Sequence, residues 1–163
     1  MRVFVFLLSL LPAVAFAAGG GVHLMQADND LSDKDSLKRG ADMFMQYCMG
    51  CHSLKYLRYN RMGADLDISD DELKASYMFN TEKVGEPMII SMPPKDATTW
   101  FGVAPPDLSL VARSRGTDWV YTYLLSFYKD EKRPLGANNT VFPDVGMPHI
   151  LWELEGGLST KDE

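Results

Sequence analysis

The sequence predicts an all-α chain, a few helices joined by long loops, and three observations predict it. Apolar residues recur at helical spacing behind clear start signals in several segments. No run of any length alternates polar and apolar residues as a half-buried strand would, and there is no internal repeat. Prolines at 87, 93, 94, 105 and 106 then crowd one interval, where each removes an amide donor and restricts the residue before it.

The first helix has the strongest signals. Ser32 is the expected N-cap, and Asp33 and Asp35 place negative charge in the first turn, where the helix dipole favours it. Leu37, Ala41, Phe44, Met45 and Cys48 follow on one face and deliver the chain to Cys48-Met49-Gly50-Cys51-His52. Residues 53–63 are basic and aromatic, with Lys55, Arg58 and Arg61 among Tyr56 and Tyr59. Ser69 caps a second helix reaching about residue 79. Residues 82–107 read as extended loop on their prolines. Asp107 opens a short helix over 108–115 that Gly116 stops, and Thr117 or Asp118 caps an aromatic helix over 119–128. Residues 129–146 form a second long loop. Pro148 at a first helical position opens a last helix over 149–154, closed by Gly156-Gly157.

The 163 residues suffice for one domain with a core, and 46% apolar with 23% charged residues is ordinary for a globular protein. A net charge of −6 argues against a nucleic-acid binder, which needs a basic face. No nucleophile-elbow pattern supports a hydrolase. At the start, Arg2, an apolar run over 3–11 and Ala15-Phe16-Ala17 have the pattern of a secretory leader over residues 1–18, leaving 19–163 as the working domain. An uncleaved anchor is the other reading, although the run is short for a membrane span. Either way the body lies outside the cytoplasm.

Long loops in a compact domain need something to hold them, which directs attention to CMGCH, where the only two cysteines of the chain are gathered. A redox disulfide of the thioredoxin kind would come with a βαβ pattern, and none is visible. A zinc site would need four ligands, and His23 lies in a loose N-terminal stretch. Covalent haem c fits best: each thiol adds to a vinyl group, and the adjacent His52 becomes the proximal iron ligand. Haem c is attached after export, which agrees with the leader. For the other side of the iron, Met92 in Ser-Met-Pro-Pro, Met147 in Gly-Met-Pro, and His149 are all available, and chain physics alone leaves Met92 and Met147 even.

Gly40, Phe44 and Cys48 stand at the spacing G-x3-F-x3-C-x2-C-H, which resembles class I cytochromes c. In those the glycine and aromatic pack on a later helix, which 119–128 would supply. Four stretches carry a more specific likeness: YCMGCHSL from Tyr47, APPDLS from Ala104, ARSRG from Ala112, and Val145-Gly146-Met147-Pro148. With these the chain resembles the cytochrome c1 family, the haem subunit of the quinol–cytochrome c oxidoreductase (bc1) complex. The resemblance implies a class I cytochrome c-like haem domain with one haem c. It implies Cys48 and Cys51 as thioether donors, His52 as proximal ligand and Met147 rather than Met92 as distal ligand. It also places Pro105 and Pro106 against the haem and makes Arg115 a propionate partner, a role suited to a guanidinium fork.

The function implied is electron transfer from a Rieske iron–sulfur subunit to a cytochrome c, beside cytochrome b, on the periplasmic face of a bacterial inner membrane. The chain alone is then a redox subunit and not an enzyme. Family members end in a C-terminal transmembrane helix, and the expectation is that this chain is a fragment lacking that anchor. His149 follows Pro148 where some relatives have alanine and proline. Asp65, Asp67, Asp70, Asp71 and Glu72 either steer a basic partner or form a solvated face. The alternatives are a stand-alone periplasmic carrier ligated by Met92, and a haem peroxidase or sensor using His149 at an open iron.

Overall fold

A computed structural model describes residues 22–161. The expected leader at 1–18 lies outside the described residues.

The first helix, α1 (Lys34–Met43), is capped by Asp33, whose carboxylate accepts the Ser36 amide at 2.9 Å. Ser32 does not cap, because its hydroxyl donates to Asp30 at 2.6 Å. The helix runs on as a π-helix over Phe44–Cys48, where the Met49 amide reaches back to the Phe44 carbonyl at 2.9 Å. A π-turn carries one extra residue per turn, so Cys48 is rotated off the face that Leu37 and Ala41 share.

After CMGCH come β1 (Leu54–Arg58) and α2 (Tyr59–Leu66), then α3 (Asp70–Ser76). Ser69 caps α3 as expected, accepting the Glu72 amide at 3.2 Å, with Asp70, Asp71 and Glu72 in its first turn. β2 (Pro87–Met88) pairs antiparallel with β1, with an irregular register between Leu54↔Met88 and Arg58↔Pro87. Three further helices follow: α4 (Pro94–Phe101), α5 (Val111–Arg115) and α6 (Thr117–Leu124). The chain then turns through β3 (Phe127–Lys129) and β4 (Ala137–Asn139), which pair antiparallel as Phe127↔Asn139, Tyr128↔Asn138 and Lys129↔Ala137.

The fold is therefore not all-α: six α-helices share the described chain with two small two-stranded ribbons. Strands of two to five residues are too short to show alternation. Expectations on helices also fail. Neither Thr117 nor Asp118 caps the helix expected over 119–128: Gly116 holds that position, and α6 stops at Leu124 before β3. Pro94 begins α4 inside the stretch read as loop, because a helix's first position loses nothing by lacking an amide. Residues 149–154 form turns and no helix. Gly40 faces open space, since a Cβ there would meet nothing within 4 Å, and Phe44 packs instead on a methionine-rich core.

That core holds Tyr59, Leu73 and Met88, all fully buried, among Met45, Met49, Met62 and Met78. A separate cluster of Phe127, Ala137 and Val145 supports the C-terminal ribbon, with Tyr123 and Met147 packed against it. Tyr77, 5% exposed, donates its hydroxyl to Asp42 at 2.6 Å, tying the end of α3 to α1.

Two outcomes are expected. At Gly63 a Cβ would stand 2.7 Å from Leu73 Cδ1 and 2.9 Å from the Ile68 carbonyl oxygen, so Gly63→Ala should destabilise by about 1–3 kcal/mol in urea unfolding followed by circular dichroism. Burial first, and then the bond to Asp42, push the Tyr77 hydroxyl from its ordinary 10 up to about 12. An unfolded chain then gives up this proton first. The stabilisation is complete below pH 10 and is lost as the pH rises towards 12. Tyr77→Phe should flatten the fall in stability measured between pH 10 and 12.

Candidate haem site

The π-helix ends at Cys48, and the next turn is closed by the Cys51 and His52 amides, both bonded to the Cys48 carbonyl at 3.0 and 2.9 Å. This turn forms one wall of an open cleft of ≈ 550 Å³, contributed by Tyr47, Cys48, Cys51 and His52. Phe101, Val103, Pro105 and Pro106 form a second wall. The third is the segment Gly146-Met147-Pro148, with Ile150 beyond it.

His52 is 8% exposed, and its Nδ1 lies 2.7 Å from the Pro106 carbonyl oxygen. A carbonyl only accepts, so Nδ1 is the donor, and the neutral ring with this bond has its lone pair on Nε2. This orients the ring for a metal and fixes its tautomer by a partner outside the ligand shell. The wall bearing Pro106 is itself tied to the chain just after the motif. The Leu108 amide bonds the Ser53 carbonyl at 2.9 Å, the Lys55 amide donates to Asp107 at 2.8 Å, and the Tyr56 amide donates to Ser109 at 3.1 Å. Burial works to raise the Asp107 carboxyl, but the bonds from Lys55 and Ser109 outweigh it and hold it below the ordinary carboxylate range. Asp107 therefore serves as this cross-tie, and α5 starts three residues later than an Asp107 cap would place it.

The Met147 segment approaches closely. A Cβ on Gly146 would meet Val103 Cγ1 at 3.1 Å and the Phe101 carbonyl at 3.3 Å, so glycine lets the third wall close on the second. Tyr123 donates its hydroxyl to Met147 Sδ at 3.4 Å.

Of the residues singled out from the sequence, Cys48, Cys51, His52, Pro105, Pro106 and Met147 share this cleft. Met92 lines a different cleft, with Met45, Met49 and Tyr59. His149 is buried elsewhere, stacked on Phe127 at 4.9 Å with its Nε2 2.9 Å from a Glu155 carboxylate oxygen. Arg115 is exposed and lies over the Trp119 ring at 5.0 Å. Trp119 in turn stacks on Tyr123 at 5.1 Å, so a ladder of side chains joins Arg115 to Met147.

The donors suit a covalent haem: two thiols and an oriented imidazole on one wall, a thioether on another, and apolar side chains between. They suit the other readings poorly. Both cysteines are free, and burial, with Cys51 adjacent, pushes the Cys48 thiol up, away from the thiolate that redox exchange needs. Among the described residues no three His, Cys, Asp or Glu side chains gather to hold a metal ion.

A model of the cytochrome c1 family matches residues 28–162. The chain belongs to the cytochrome c1 family. The cytochrome c1 of Allochromatium vinosum is 54% identical over 149 residues, which cover 91% of this chain and 61% of that protein. A protein of Nitrosomonas europaea named ammonia monooxygenase gamma subunit is 45% identical over 159 residues, 96% of this chain and 68% of its own. The mitochondrial cytochrome c1 haem protein of Neurospora crassa is 30% identical over 149 residues, 74% of this chain and 44% of its own. The chain thus spans 61% of the Allochromatium protein's length and less than half of the Neurospora one. The cytochrome c1 family binds one covalent haem c, and this chain carries the attachment spacing at Cys48 and Cys51.

Sequence reasoning missed the groups that hold the third wall. Asn139 is fully buried; its amide donates to the Tyr123 carbonyl at 2.7 Å, and its oxygen accepts the Val141 and Phe142 amides at 2.9 and 3.0 Å. Asn138 accepts the Asp144 amide at 2.9 Å and donates to Asp130 at 3.0 Å. An Asn-Asn pair inside a long loop was the available signal, because such amides replace a ladder's hydrogen bonds. Asn139→Ala would take the side-chain acceptor from the Val141 and Phe142 amides and leave the Tyr123 carbonyl with the Ser126 amide alone. It should cost about 1–3 kcal/mol in denaturant unfolding, with hydrogen exchange accelerating first over residues 137–147.

Proposed function

We propose that the chain is the electron-transfer subunit of a respiratory quinol–cytochrome c oxidoreductase, taking electrons from a Rieske iron–sulfur subunit beside cytochrome b and passing them to a cytochrome c. The observation that carries this reading is the sorting of the methionines: Met147 lines the cleft of Cys48, Cys51 and His52, and Met92 lines another. In this reading Cys48 and Cys51 form the thioethers, His52 presents Nε2 to the iron and Met147 presents its sulfur. When bound, the haem supplies a one-electron ferric–ferrous couple.

The chain's own work is placement. The Pro106 carbonyl holds the His52 ring, and Pro105, Val103 and Ile150 keep the cleft apolar and short of water. The Tyr123 hydroxyl draws electron density from the Met147 sulfur, which favours the reduced iron and so raises the potential. Apart from the proposed ligands and the Tyr47 phenol, the cleft's side chains carry no proton donor or acceptor, as suits a site that moves electrons. Arg115 remains the proposed propionate partner, and its guanidinium lies over the Trp119 ring.

Residues 1–18 are proposed to direct export, and the domain to work at the periplasmic face of a bacterial inner membrane. Among the described residues no helix is long and apolar enough to cross a membrane. A membrane anchor would thus belong to a segment other than 22–161. The name of the Nitrosomonas relative attaches a similar chain to an ammonia monooxygenase. The two readings differ in the partner.

The test is the visible and near-infrared spectrum of the exported haem protein. Wild type should be low-spin with a thioether-to-ferric charge-transfer band. Met147→Leu should lose that band and Met92→Leu should keep it. Loss with Met92→Leu would make the chain a stand-alone carrier of another ligand set, and a high-spin wild type would indicate an open iron.

A further inference from the structure

The segment that bears Met147 is made of turns and bends, with no helix or strand between Asn139 and Pro148. Something must hold it against the second wall. Arg133 sits in the connection between β3 and β4, where its own amide bonds the Asp130 carbonyl and its carbonyl accepts the Gly136 amide, each at 3.0 Å. Its guanidinium then reaches across to the Met147 segment. Nη1 donates to the Asp144 carboxylate at 3.0 Å, and Nη2 donates to the Asp144 carbonyl at 2.7 Å and the Val145 carbonyl at 3.3 Å. Nε is buried with no partner, so the fork is committed to this one segment.

The grip falls where the backbone needs it. Asp144 has φ 61, a left-handed conformation uncommon for residues with a side chain. Gly146 and Met147 follow immediately. Two bonds therefore fix the carbonyls three and two residues before Met147, the residue that must face the cleft.

We propose that Arg133 is a positioning residue for the distal ligand: the bonds from its Nη2 to the Asp144 and Val145 carbonyls set the fraction of molecules in which the Met147 sulfur faces the cleft. The inference rests on Met147 as the iron ligand. The two carbonyl contacts matter most. The Asp144 side chain is 79% exposed, so its ion pair with Arg133 is screened by water and weak. Lysine is a poor substitute, because a point cation cannot hold two carbonyls in fixed directions.

The experiment is an imidazole titration of the ferric haem protein, since imidazole binds only where the thioether has swung away, and its apparent affinity reports that fraction. Arg133→Gln should bind imidazole about tenfold or more tightly than wild type. Arg133→Lys should lie nearer to Arg133→Gln than to wild type, and Asp144→Asn within about twofold of wild type. Far-UV circular dichroism through a urea series shows whether each variant is folded while it is titrated. Arg133→Lys keeps the charge and stem, and serves if Arg133→Gln fails to fold. Wild-type imidazole affinity in a folded Arg133→Gln or Arg133→Lys overturns the clamp. An equal rise in affinity with Asp144→Asn would move the role to the carboxylate and overturn it too. A wild type without the thioether band, or a Met147→Leu protein that keeps it, instead overturns the ligand assignment beneath it.

Discussion

The hydrogen bond between His52 Nδ1 and the Pro106 carbonyl joins the two parts of the chain that make the site, and much of the described structure serves to keep it in place. On one side, the π-helix and its closing turn fix where the imidazole starts. On the other, a prolyl carbonyl is a dependable acceptor because the two rings before Asp107 leave the backbone few conformations. The bonds from 53–56 to 107–109 then lock the two strands of chain in one register. An imidazole held this way offers only one nitrogen to a metal, and it does so before any metal arrives.

The third wall is secured by different means. β3 and β4 are three residues each and cannot by themselves hold an extended segment. Asn138 and Asn139 supply the missing hydrogen bonds, and the Phe127, Ala137 and Val145 cluster supplies the apolar contact. The Tyr123 ring links this cluster to the first aromatic of α6 and its hydroxyl to Met147. The domain thus has two centres of packing: a methionine-rich one behind the attachment turn and a smaller aromatic one behind the distal segment. The cleft lies between chain elements that each centre supports.

What could be read from the sequence follows from how local each feature is. Cys48, Cys51 and His52 were legible because their chemistry is written in five consecutive residues. Ser69 as a cap and Gly116 as a stop were legible because capping is decided within a few residues. The ribbons were not, because a strand pair like Leu54↔Met88 joins residues far apart and shows no period over so short a run. The helix α4 was hidden by Pro93 and Pro94, whose rings look like loop until one of them is placed at a helix start. The turns after Pro148 replace an expected helix because His149 is drawn onto Phe127 and towards Glu155, contacts that no window of sequence contains.

The two candidate methionines illustrate the same limit at the level of function. Met92 and Met147 both sit beside prolines in loops, so their local sequence is nearly the same physical statement. They part company only through tertiary structure. Met92 follows β2, which pairs with β1 on the side of the attachment turn where Met45 and Met49 already lie. Met147 follows the Asn and Arg133 contacts that bring residues 144–147 against Val103 and Phe101. The π-turn at Phe44–Cys48 contributes to the separation, because one extra residue in the helix sends Met45 and Met49 to one cleft and Cys48 to the other. A methionine's chemistry here is thus set by which side of one helix turn the rest of the chain delivers it to, and that is decided by buried amides and a guanidinium dozens of residues from the motif.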